Sequence, residues 1–301
     1  MKEVLSLQVV IFGLIAVGFL VKRIGIISDA GQKNINDLVI YVILPCNILK
    51  AFLNGNTEGK LNAYFTVLLI SLGIQVFCVL YGKLMYRKET EGRRKCLEYA
   101  TICSNAGFLG NPIAEGLYGA EGLVIASIYL IPQRIMMWST GLPVFSGSHD
   151  WKKTVKKVVT HPCILACVLG IVFMLTGLKL PAGVNGIINA LGNCNTAMSM
   201  LVIGMILERL KLKEMWDKTV LIYSLHRLII IPGLIFLACL LLHIPPMIRS
   251  LCVLLAAMPA GATTSILAEK YQMEPEFATK LVIISTVLSL PTLFVWTMVL
   301  V

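Results

Sequence analysis

The sequence predicts an all-α polytopic membrane protein, and three observations carry that expectation. Apolar runs of about 20 residues, the length that crosses a ~30 Å hydrocarbon core as a helix, recur along the whole chain. Hydrophobic residues fill 57% of its 301 positions against 14% charged, and mean hydropathy is +0.83, which leaves too little polar surface for a soluble domain of this size. The 26 Lys and Arg gather in short segments between those runs. In a soluble chain a net charge of +10 would suggest nucleic acid; distributed this way it is a topology signal, and no nucleic-acid partner is expected.

Ten spans can be laid down, over about residues 4–21, 37–53, 63–82, 96–118, 121–145, 160–178, 183–207, 218–242, 247–269 and 277–300. The first ends at Lys22-Arg23 without a small-residue cleavage site and reads as an uncleaved span. The fourth contains NAGFLGNP, Asn105 to Pro112. Pro112 removes a backbone donor and Gly107 and Gly110 lower helix propensity, so the helix should break at mid-membrane. Asn111 then reads as the N-cap of a restart and Pro112 as its first helical residue. The ninth contains AAMPAGATTSILAEK, where Pro259 and Gly261 interrupt the run and Thr263, Thr264 and Ser265 are placed to cap the continuation.

Pro112 and Pro259 are 147 positions apart, close to half the chain. Irregular backbone at membrane depth survives only where protein buries it or a solvated cavity bathes it. Two interrupted helices at corresponding places in two halves therefore point to the binding site of a transporter.

Of the 26 Lys and Arg, three lie within spans and four (Lys2, Lys60, Lys179, Arg249) on one side; the other nineteen share the opposite side. Both termini are thus expected to be extracytoplasmic. With five spans per half the second half enters from the opposite side, giving two inverted repeats, residues 1–145 and 161–301, joined by a short basic cytoplasmic linker, 146–160. The restarted half-helices of spans four and nine can then aim their positive N-terminal ends at one midplane point, a site for an anion.

The three basic residues inside spans each need a reason. Lys50 and Arg227 read first as snorkelling to an interface. Arg134, beside Gln133 and just after Pro132, lies about three turns from a loop and divides evenly between the charge partner of an anionic substrate and a structural partner for broken-helix carbonyls. Asn47 and Asn195 occupy matching places in the two halves, where hydrogen bonding between helices is the default. Glu98, Glu115, Glu121, Glu208, Glu269, Glu274 and Glu276 fall near span ends, so no titrating mid-membrane carboxylate is evident. The nine cysteines, including Cys163 and Cys167 on one helix face, read as buried small hydrophobes. No catalytic pattern is present, the four histidines are dispersed, and neither an enzyme nor a cofactor or metal is expected.

NAGFLGNPIAEGLYG (Asn105 to Gly119) and MPAGATTSILAEKY (Met258 to Tyr271), in a ten-span chain of this length, resemble the auxin efflux carrier family, whose bacterial members are usually described as malate permeases. The resemblance covers the whole chain. It implies five-plus-five inverted repeats of the sodium-proton antiporter and bile-acid symporter kind, with a scaffold from spans one, two, six and seven and a transport domain from the rest. It also implies a crossover of Asn111 and Pro112 with Pro259 and Gly261, substrate contacts at Asn105 and Gln133, and Asn47 facing them. The implied substrates are small organic anions such as indole-acetate or dicarboxylates, and the expected movement is an elevator-type displacement; the bilayer is the expected partner, and pairing of two copies in a homodimer is left open by the sequence. The chain lacks the long phosphorylated loop of plant members, and span three offers only Gln75 and Lys83 where those have a charged pair, a charge that Arg134 can supply instead. A sodium-coupled bile-acid-type symporter and a non-transporting receptor remain alternatives.

Overall fold

The computed structural model describes residues 2–54, 60–146, 151–208 and 216–300, and among them there are helices and connections but no strand. Helices α1 (Lys2–Arg23) and α2 (Asp29–Leu38) lead through a π-helical turn, Val39–Ile43, into α3 (Leu44–Asn54). Then come α4 (Leu61–Met85), α5 (Glu91–Ile102), a π turn over Ala106–Gly110, and α6 (Asn111–Met136). A third π turn, Met137–Gly141, leads to α7 (Leu142–Ser146) and α8 (Trp151–Val159). Helices α9 (Pro162–Thr176), α10 (Ala182–Asn193), α11 (Asn195–Leu207) and α12 (Lys218–Leu225) follow. The last π turn, His226–Ile230, opens α13 (Ile231–Leu241), which is followed by α14 (Pro246–Ala256), α15 (Thr263–Lys270) and α16 (Pro275–Leu300).

The four π turns share a cause that is visible in the sequence. Each ends two residues before a proline: Ile43 before Pro45, Gly110 before Pro112, Gly141 before Pro143, Ile230 before Pro232. A proline has no N–H to give and its ring collides with the carbonyl four residues back. Widening the preceding turn to the i to i+5 pattern shifts that carbonyl and lets the helix pass through the proline unbroken. Leu44 follows this pattern, donating to the Val39 carbonyl.

This changes the account of the fourth span. The expected restart at an Asn111 N-cap does not occur, because the helical run already resumes at Ala106 and Asn111 lies within it. The interruption sits upstream, at Cys103–Asn105, and the run from Ala106 continues to Phe145. Its 40 residues would reach about 60 Å if straight, twice the hydrocarbon core. It bends instead at Gly119, whose φ of 61° and ψ of −149° suit only a residue without Cβ.

Among the described residues seven helical runs are long and apolar enough to cross a membrane, and α9 and α14 are shorter apolar helices. The linker is not plain coil, since α8 occupies most of it; residues 147–150, with His149, lie outside the described residues, as do Arg209, Lys211 and Lys213 of the charge count.

The chain divides into two compact units. Unit 1 comprises Met1–Tyr64, Gly107–Ile128 and Val159–Arg209. In it α1 lies along α11 with backbones in contact: a Cβ on Gly204 would stand 2.0 Å from the Ile15 carbonyl oxygen, the close approach that small residues permit where apolar lipid gives helices no hydrophobic reason to associate. Unit 2 comprises Phe65–Ala106, Tyr129–Val158 and Leu210–Val301. Its core gathers Tyr99, Phe145, Tyr223, Phe277 and Leu281 around α5, and the Tyr223 hydroxyl donates to the Ala100 carbonyl at 2.9 Å.

Candidate functional site

Both chain interruptions exist, and both lie in unit 2. Helix α5 ends at Ile102, and Cys103 is extended, with φ −109° and ψ 90°. Helix α14 ends at Ala256, and α15 begins at Thr263. The two open segments run antiparallel and form a single β-bridge, Ser104 to Ala260. Asn105 N–H donates to the Pro259 carbonyl at 2.8 Å, and Gly261 N–H donates to the Cys103 carbonyl at 2.9 Å. Gly261 is required by that approach: a Cβ there would lie 2.9 Å from the Cys103 oxygen and 3.4 Å from that of Ser104.

Four further backbone groups at the interruptions are met by side chains from other helices. Ala260 N–H donates to Ser285 Oγ on α16 at 3.1 Å. Gln133 on α6 donates from Nε2 to the Ser104 carbonyl at 2.8 Å and accepts from Ser104 Oγ at 3.0 Å. Arg227, in the π turn before α13, donates from Nε to the Met258 carbonyl at 3.0 Å and from Nη1 to the Thr101 carbonyl at 3.2 Å. Arg227 therefore does not snorkel. It is buried and braces both interruptions, because the carbonyls they free are better acceptors at that depth than distant water. The hydroxyls near Thr263 do not cap α15 either: Ser265 Oγ donates to the Ala262 carbonyl and the buried Thr264 Oγ1 has no partner.

Arg134, next to Gln133, is as buried as its neighbour, yet its Nη1 has no hydrogen-bond partner. Neither Arg134 nor Arg227 takes part in an ion pair among the described residues. Arg134 is thus a buried guanidinium in unit 2 with no acidic counterpart among the described residues. Asn105, Gln133, Pro259 and Gly261 meet in the bridge, with Thr263 opening the helix that follows; Asn47, Asn111 and Pro112 belong to unit 1.

In unit 1 Asn47 Nδ2 donates to Glu115 Oε2 at 3.0 Å and to the Gly192 carbonyl at 3.2 Å, the helix-to-helix bonding expected of it. Lys50 Nζ lies 2.6 Å from Glu115 Oε1 and 2.9 Å from Asn193 Oδ1. So Lys50 is paired rather than reaching for an interface, and Glu115 is a half-buried partner and not a loose span-end acid. Asn111 is fully enclosed with both side-chain polar atoms unpartnered. Asn195 accepts from Ser199 on its own helix and leaves Nδ2 unpaired.

Seven of the nine cysteines are buried and none forms a disulfide among the described residues; Cys46 is half-buried and Cys194 exposed. Among the described residues no cluster of three or more His, Cys, Asp or Glu is arranged to hold a metal. Sequence reasoning missed Ser104, Ser285 and the bracing role of Arg227. The local signal for the last was a basic residue inside a span five positions before Pro232.

The sequence profile of the family described as membrane transport protein matches residues 4–151 and 149–297. An uncharacterized transporter of Methanothermobacter thermautotrophicus is 28% identical over 95% of both chains. The uncharacterized transporter MJ1031 of Methanocaldococcus jannaschii is 23% identical over 97% of both. A protein of Rhizobium meliloti, provisionally named a malonate transporter, is 22% identical over 97% of this chain and 94% of its own. With its apolar helices and its paired interruptions, the chain belongs to this family of multi-pass membrane transporters, of auxin-efflux-carrier and malonate-permease type.

Proposed function

We propose that the protein is a secondary transporter of a small organic anion, an auxin-like carboxylate or a dicarboxylate such as malate or malonate, bound beside the bridge between the two interruptions. The observation that carries this reading is Arg134, a buried guanidinium without an acidic partner among the described residues. A charge at that depth costs at least ~2.5 kcal/mol on insertion scales, so its retention without a counter-ion calls for one that comes and goes. The positive end of α15, at Thr263, adds to the attraction, and Asn105 and the second Nε2 hydrogen of Gln133 are donors for carboxylate oxygens. The provisional name of the Rhizobium meliloti relative makes malonate the first dicarboxylate to try.

In the same reading the chain crosses the plasma membrane ten times as two inverted repeats, with both termini outside. The 40-residue run bent at Gly119 supports counting it as the second half of a broken fourth span plus a fifth, and α14 with α15 as a broken ninth. Unit 2, which holds the bridge, is the moving part of an elevator-type cycle.

Counterflow of labelled malonate, malate and indole-acetate in proteoliposomes tests the function. Saturable exchange without a sodium gradient is expected for at least one of them, and Arg134→Gln should remove it. Exchange that requires sodium would favour a bile-acid-type symporter, and no exchange of any carboxylate would favour a receptor.

A further inference from the structure

We infer that α8 is an interfacial helix that binds the anionic phospholipid headgroups of the bilayer around the protein. Its sequence, WKKTVKKVV, repeats apolar and basic residues at helical spacing: Val155, Val158 and Val159 share one side, and Lys152, Lys156 and Lys157 the other. Among the described residues most of the apolar side is uncovered: Val155 is 49% and Val159 56% exposed, and Val158 is half-buried. Four lysines and no acid occur from Trp151 to Val159.

The depth of α8 is set by a contact. Lys157 Nζ stands 5.0 Å from the ring centroid of Trp138, in the π turn near the end of the apolar run Ala106–Phe145. Tryptophan near the end of a span marks the headgroup layer, and Trp138 is half-buried there with its indole nitrogen enclosed. A helix tied to that level lays exposed valines against acyl chains and lysines among phosphates, the arrangement of an amphipathic helix in the interface plane. An acidic soluble partner would fit the lysines but would leave the valine stripe to face water whenever it was absent; a bilayer with anionic headgroups covers both faces. Net positive charge with no acid selects anionic over zwitterionic headgroups. The helix then anchors the linker between the two halves to the membrane surface.

The test uses the full-length protein in nanodiscs of phosphatidylcholine alone or with phosphatidylglycerol. A polarity-sensitive fluorophore is placed at Val155→Cys after Cys46→Ser and Cys194→Ser remove the two accessible thiols. Quenching by the neutral aqueous agent acrylamide should fall about threefold when phosphatidylglycerol is present, and high salt should reverse the fall. Lys152, Lys153, Lys156 and Lys157 all changed to Gln should leave quenching high in both lipids. Equal quenching of the labelled protein that keeps its four lysines, in the two lipids, overturns the inference without the glutamine variant. So does protection that persists in the four-glutamine chain, or protection produced only by an acidic peptide such as polyglutamate.

Discussion

Arg227 and Arg134 are buried to nearly the same degree, 3% and 7% exposed, in the same compact unit, and neither meets a carboxylate among the described residues. Arg227 spends its donors on the carbonyls of Met258 and Thr101, one from each interrupted helix, while Arg134 keeps Nη1 unpaired. Interrupting a helix in hydrocarbon strands carbonyls, and a guanidinium fork can answer two of them from a fixed plane. The charge of Arg227 is therefore absorbed by the architecture, whereas that of Arg134 meets no counter-ion among the described residues, the contrast on which the proposed anion site rests. A buried cation in a membrane protein is informative only after its acceptors have been counted.

The comparison can be broken at several points. The largest stability loss is expected for Arg227→Met, which strands two buried carbonyls at about 1–3 kcal/mol each and should lower the unfolding midpoint in detergent steeply. Arg227→Lys should recover only part, since an ammonium lacks the planar fork. Gly261→Val comes next: its Cβ meets the Cys103 oxygen at 2.9 Å, so the bridge must open at a cost of roughly 1–3 kcal/mol. Ser285→Ala removes the single acceptor of Ala260 N–H and should cost about 1 kcal/mol, read in the same unfolding assay. Arg134→Gln should change the midpoint least, within about 0.5 kcal/mol, because it breaks no hydrogen bond that the fold uses. A loss at Arg134 as large as that at Arg227 would erase the distinction between them.

The sequence made the interruptions legible because proline and glycine act locally, but it misplaced the first. Pro112 was expected to end a helix; a widened turn at Ala106–Gly110 carries the helix through it, and the opening falls at Cys103–Asn105, where no single residue announces it. That the two interruptions converge was legible, and the family resemblance named Asn105, Gln133, Pro259 and Gly261 there, but the hydrogen bonds that close the bridge were not. Gln133 reaches Ser104 across 29 positions and Arg227 reaches Thr101 across 126, distances over which neither spacing nor composition carries information. The pairing of Lys50 with Glu115, 65 positions away, escaped for the same reason, and both residues looked like ordinary span-end charges. Arg134 alone stood out in advance, by its depth in a span, and the structure adds that nothing in the described chain neutralises it.

The most direct measurement is ligand-induced thermal stabilisation of purified wild-type protein and Arg134→Gln with malonate, malate and indole-acetate. For wild type, a bound carboxylate at about 100 times its Kd should contribute about 2.7 kcal/mol and raise the unfolding midpoint, while Arg134→Gln, with an unaltered midpoint when free of ligand, should not respond. Equal stabilisation of both proteins by the same carboxylate would mean that the anion is held elsewhere and that the unpaired guanidinium is not its partner.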